Sequence, residues 1–135
     1  MGGRYKNNVG NINNKIKFLL SYKFSIAMEN TEGDGYISEK IIDSFLAGTI
    51  PLYYGSYMID EFINPKTYIL IKGKTDMNKK IEYIKKIDNN YFLYQYILNQ
   101  NVLIDEKSWK KIKYEYQEFL FNIFEQDKNK AKRIN

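Results

Sequence analysis

The chain has 135 residues, 44% apolar and 27% charged, with a net charge of +5. That is enough for one core burying roughly two-thirds of the unfolded surface, and the positive balance suits an anionic partner: nucleic acid, a membrane surface or a phosphate-bearing small molecule. There is no cysteine and no histidine, which excludes disulfides, thiolate nucleophiles, imidazole bases and His-ligated metals and leaves chemistry to carboxylates, Lys, Arg, Tyr and hydroxyls.

The opening MGGRYKNNVGN is polar and reads as a loop. A short helix fits residues 13–21, and residues 22–28 read as a buried strand, followed by a polar loop over 29–35. The spacing of Ile37, Ile41, Ile42, Phe45 and Leu46 predicts a helix over 36–47, with Gly48 as its left-handed cap. Residues 50–54 form a second strand in which Pro51 lies near the end, where a missing amide costs little. One or two helical turns follow over 58–63, Asn64-Pro65 punctuates, and 68–71 is a third strand. Asp76 is the expected N-cap of a helix through residue 87 that turns Ile81, Ile84 and Ile87 inward. Helices over 90–98 and 105–125 complete the chain, with DKNKAKRIN expected to fray. No apolar run approaches the roughly 20 residues of a spanning helix, and Met1 does not open a secretory pattern, which predicts a soluble chain without a membrane segment.

Strands alternating with helices predict an α/β fold with a parallel sheet. Three strands is about half of what a doubly wound sheet carries, so the expectation is a partial Rossmann-like unit: one nucleotide-binding domain over 1–135, its core at 22–71 and a helical part at 76–126.

In such a sheet ligands bind beyond the carboxyl ends of the strands, which places the loop ENTEGDG at the site. Gly33 and Gly35 permit close backbone approach, and the first amides of the following helix face an anion. Tyr36, Glu39 and Lys40 stand three and four residues apart, on one helical face away from Ile37 and Ile41. Lys40 suits a diphosphate, Glu39 a pair of ribose hydroxyls, Tyr36 stacking or a hydrogen bond, and Asn30 offers a donor and an acceptor. On spacing alone, Glu39 and Lys40 also fit a solvated helix start, and Tyr53 and Tyr54 strand packing. The loop carries neither a P-loop nor a dinucleotide signature.

The stretch as a whole, Tyr22-Lys23-Phe24, Glu29-Asn30, Tyr36-Ile37-Ser38-Glu39-Lys40, Ala47-Gly48, Pro51, Gly55 and Pro65, resembles the donor-binding half of the α-1,3-fucosyltransferases of glycosyltransferase family 10. The resemblance runs over residues 22–71 and implies the C-terminal half-domain of a GT-B enzyme. Such enzymes transfer fucose from GDP-fucose to a glycan hydroxyl with inversion, needing no catalytic metal and no cofactor. It further implies donor contacts at Tyr36, at Glu39 on the ribose and at Lys40 on the phosphates. Asn30 lines the same pocket, and Glu29 and Gly35 are loop contacts.

The family's general base is a carboxylate of an N-terminal acceptor domain, and its diphosphate-gripping Arg lies upstream. Neither Arg4 nor Lys6 matches that Arg, so no catalytic residue is assigned within this chain, and the acceptor glycan is expected to be bound through a missing N-terminal domain. No nucleic acid is expected as a partner. The compartment is cytoplasmic or membrane-associated for a bacterial member, and Golgi for a eukaryotic one. Two alternatives stand beside this reading. One is a glycosyltransferase using another nucleotide sugar. The other is a non-catalytic basic module for RNA or acidic partners, although the basic residues are scattered and the aromatics mostly follow apolar stripes.

Overall fold

The computed structural model describes residues 12–31, 33 and 35–125; the opening loop and the C-terminal tail discussed above lie outside them. The elements run α1 (Lys15–Leu19), β1 (Phe24–Met28), α2 (Glu39–Leu46), β2 (Ile50–Tyr54), a 3-10 turn (Tyr57–Glu61), β3 (Ile69–Leu70), α3 (Lys74–Asp88), α4 (Tyr91–Leu98) and α5 (Glu106–Phe124). The three strands form one parallel sheet in the order β1-β2-β3.

Alternation along the strands sorts side chains onto two faces. On one, Ala27 and Tyr53 pack with Ile41 of α2, with Ile59 and Ile63 from the 3-10 region, and with Tyr68. On the other, Ile50 and Ile69 pack with Ile87 of α3 and Ile97 of α4. The sheet is thus sandwiched between α2 and the α3/α4 pair. β1 lies at its edge, so the expectation of a buried strand holds for one face only: Ser25 and Ala27 are buried, whereas Ile26 is 71% exposed.

Pro51 sits in the central strand, yet its lost amide is harmless. Ile50 N donates to Lys23 O and Ile71 N to Tyr53 O, so odd-numbered β2 residues turn toward β3. That ladder begins only at Leu52 and Ile69, past the proline. Gly48 ends α2 at φ 64°, as a left-handed cap requires. On the buried side, Thr49 Oγ1 donates to Ser44 O at 3.0 Å, which leaves Ser25 as the donor in the 2.6 Å hydroxyl pair with Thr49.

Three details depart from expectation. Asp76 does not cap α3; the cap position is Gly73, at φ 125°, and Asp76 pairs with Lys80 inside the first turns at 3.7 Å. Ile81 is 40% exposed while Ile87 is fully buried, because α3 meets the sheet at its C-terminal end. Leu46 and Ile42 lie outside the buried stripe of α2 and are exposed. Elsewhere local chemistry selects the boundaries: Asn14 and Asn90 each accept an amide of the helix they open, from Lys17 at 2.8 Å and from Leu93 at 3.0 Å.

Candidate functional site

The carboxyl ends of all three strands open on one side, where a cleft of about 410 Å³ is walled by Gly33, Tyr54, Gly55, Ser56, Tyr57, Ile71 and Lys72. Gly33 follows β1, Tyr54 ends β2 and residues 55–57 follow it, and Ile71 and Lys72 follow β3, which is where ligands bind in parallel sheets. Lys72 stands over the Tyr57 ring at 5.7 Å from its centroid, a cation–π distance that holds a positive charge at the cleft wall.

Beside the cleft, the loop from β1 to α2 is organised by Glu29. Continuing the alternation of Ser25 and Ala27, Glu29 turns under the start of α2, and its side chain is wholly buried. One carboxylate oxygen accepts the Ser38 amide at 2.8 Å and the other accepts the Ser38 hydroxyl at 2.6 Å. Lys40 Nζ approaches the second oxygen at 3.5 Å. The same ammonium donates to Met28 O at 2.7 Å and to Asn30 Oδ1 at 2.9 Å. A buried carboxylate without such partners would cost several kcal/mol, on the order of the penalty for an isolated buried ion; here both oxygens are engaged.

This arrangement revises the helical face inferred from spacing. Glu29 holds Ser38 in an extended conformation, φ −107° and ψ −177°, so α2 begins at Glu39 and Tyr36 belongs to the loop. The structure brings Glu29, Asn30 and Lys40 together, with Lys40 turned back toward the end of β1. Tyr36 stays 46% exposed. Glu39 is exposed, makes no hydrogen bond or ion pair among the described residues, and borders a separate apolar hollow of about 340 Å³ with Ile37, Ile42, Phe62 and Trp109. Gly35 adopts φ 78° and donates its amide to Ser56 Oγ at 3.0 Å, which ties the Gly loop to the turn after β2.

Gly55 and Tyr53 complete the floor. A Cβ on Gly55 would stand 2.5 Å from Tyr53 Oη and 2.7 Å from Glu29 Cγ, so only glycine fits. The Tyr53 hydroxyl is buried and has no hydrogen-bond partner among the described residues. Burial first, and the charge of Glu29 second, push its pKa up to about 12; the Ser56 backbone opposes this without reaching hydrogen-bonding geometry.

Sequence reasoning did not single out Ser56, Tyr57 or Lys72. Ser56 and Tyr57 directly follow the Gly55 turn, and Lys72 follows the third strand, so the rule that sites gather at strand carboxyl ends was the available signal. Among the described residues no three of Asp, Glu, Cys and His converge to hold a metal ion, and no helix is long and apolar enough to cross a membrane.

Comparison with known proteins assigns the family. The profile of glycosyltransferase family 10 (fucosyltransferase), C-terminal part, matches residues 1–120. An alpha-(1,3)-fucosyltransferase of Helicobacter pylori is 38% identical over 111 residues, 80% of this chain and 23% of that protein. A putative fucosyltransferase of Acanthamoeba polyphaga mimivirus is 38% identical over 90 residues, 67% of this chain and 15% of that protein. An alpha1,3-fucosyltransferase solved with GDP-fucose superposes with a TM-score of 0.74 at 32% identity, covering 98% of this chain and 41% of that one. The sheet and its flanking helices are therefore an α/β half-domain of the GT-B kind. Although it spans less than a quarter of the length of these two relatives, the chain belongs to glycosyltransferase family 10, the fucosyltransferases, and matches the C-terminal part of that family.

Proposed function

We propose that this chain supplies the GDP-fucose-binding part of a fucosyltransferase. The observation that supports it is the coincidence of two features: similarity over 98% of the chain to an alpha1,3-fucosyltransferase solved with GDP-fucose, and a cleft at the strand carboxyl ends flanked by the Glu29–Ser38–Lys40 cluster.

In this reading Lys40 meets the diphosphate by exchanging a neutral acceptor, Met28 O or Asn30 Oδ1, for a phosphate oxygen. A charge-assisted hydrogen bond of that kind contributes on the order of 1.5–3 kcal/mol. Glu39, whose side chain has no partner among the described residues, accepts both ribose hydroxyls where the neighbouring hollow begins, and Tyr36 packs on the nucleotide. During transfer the acceptor oxygen attacks the anomeric carbon as the bond to the β-phosphate breaks. The electron pair leaves with GDP, and the proton passes to a base outside this chain, with inversion at carbon. The acceptor is likewise bound by protein beyond these residues.

Calorimetric titration of the full chain with GDP and with UDP at one ionic strength tests this. The expected result is tighter binding of GDP, weakened at least tenfold by Glu39→Ala and by Lys40→Ala. Absence of heat and of thermal shift at millimolar GDP contradicts it, as does binding that ignores the base and falls steeply with salt, the mark of a non-specific polyanion surface.

A further inference from the structure

We propose that Glu29 is a positioning residue of the donor site, acting through Ser38 and Lys40 rather than on the ligand; the proposal rests on the donor-site reading above. Its side chain is wholly buried, and its Cγ lies where a Cβ of residue 55 would collide at 2.7 Å. With no exposed side-chain surface, it is closed to direct contact with a ligand. Both of its oxygens are instead spent on groups at the start of α2, the Ser38 amide and hydroxyl at 2.8 and 2.6 Å and the Lys40 ammonium at 3.5 Å.

The effect on Ser38 shows against its counterparts. Asn14, Ser56 and Asn90 each use the side chain to accept an amide of the helical segment they open. Ser38 makes no such bond, because its hydroxyl is given to Glu29. The first-turn amides of α2 are left uncapped by a side chain, beside an ammonium held by the same carboxylate. A lone carboxylate this close to a diphosphate would repel it, the more so for being buried away from screening water. Paired with Lys40 at 3.5 Å, its charge is offset while it fixes the geometry of two phosphate-seeking groups.

The test is a double-mutant cycle on the full chain with GDP as the probe, comparing the parent, Glu29→Gln, Lys40→Ala and the pair, with thermal unfolding of each. The expectation is that Glu29→Gln weakens GDP binding at least tenfold while unfolding stays cooperative, and that in the Lys40→Ala background the same change costs less than threefold. Ser38→Ala, a milder cut of the same link, is expected to weaken GDP several-fold and serves if Glu29→Gln does not fold. Parent-like GDP binding by Glu29→Gln or by Ser38→Ala overturns the positioning role, and so does an equal loss in both backgrounds. A parent chain that binds no GDP overturns the donor-site reading itself, and the proposal with it.

Discussion

The hydroxyl of Tyr53 rests against the backbone of Gly55, so close that a Cβ at residue 55 would stand 2.5 Å away. Tyr53 closes the core beneath α2 and Gly55 walls the cleft, so this contact joins the packing of the sheet to the floor of the site. Gly55→Ala forces a fully buried tyrosine or the Glu29 side chain to move. Overpacking of that kind costs about 1–3 kcal/mol. Chemical denaturation is expected to show that loss, partly recovered by adding Tyr53→Phe, which removes the nearest atom.

Gly48 makes the contrasting case. It has φ 64°, and no atom of the described residues lies within 4 Å of an added Cβ, so Gly48→Ala is expected to meet the left-handed backbone penalty alone, about 1–2 kcal/mol. Gly48→Asn is expected to lose less, since Asn tolerates that region. Thermal unfolding of the two variants separates backbone cost from steric cost.

Lys40 and Glu39 divide stability from binding. Lys40→Ala leaves the buried Glu29 carboxylate with Ser38 alone. With Lys40 itself 21% exposed, the expected loss is about 2 kcal/mol, below the range for a fully buried pair. Glu39 is exposed and its side chain is unpaired among the described residues, so Glu39→Ala is expected to change stability by less than about 0.5 kcal/mol while still weakening GDP binding. Denaturant midpoints beside GDP affinities check both.

Two buried tyrosines set an alkaline limit. Burial and then Glu29 raise the Tyr53 pKa from 10 to about 12. Burial, then the hydrogen bond from Tyr68 to Asp60 and the Asp60 charge, raise Tyr68 as well. Both phenols stay protonated in the folded chain after they have ionised in the unfolded one. The stability they contribute is present in full below about pH 10 and is lost as pH climbs through their folded values. Stability is expected to fall between pH 9.5 and about pH 12, less steeply in Tyr53→Phe, as measured by urea unfolding and tyrosinate absorbance.

The sheet was legible because apolar runs bounded by Gly48, Gly55 and Pro65 leave few alternatives, and β2 matched residue for residue. The start of α2 was not. Spacing placed Tyr36 on the helix, but the bonds from Glu29 to Ser38 span nine positions, and local periodicity carries no trace of them. Spacing offered Lys40 as a cation beside the loop, whereas its engagement with Met28, Glu29 and Asn30 depends on the strand end folding beneath α2. Asp76 looked like a cap because capping residue types were weighed without the left-handed Gly73 that turns the chain three residues earlier.

Whether GDP binds at the strand carboxyl ends beside the Glu29–Lys40 cluster can be read from the backbone amide resonances of the full chain while GDP is added. Saturable shifts are expected at Asn30, Gly33 and Gly35–Ile41, extending to Gly55–Tyr57 and Lys72, with α4 and α5 unmoved. Shifts confined to the scattered lysines of α3 and α5, or none at millimolar GDP, would contradict binding there.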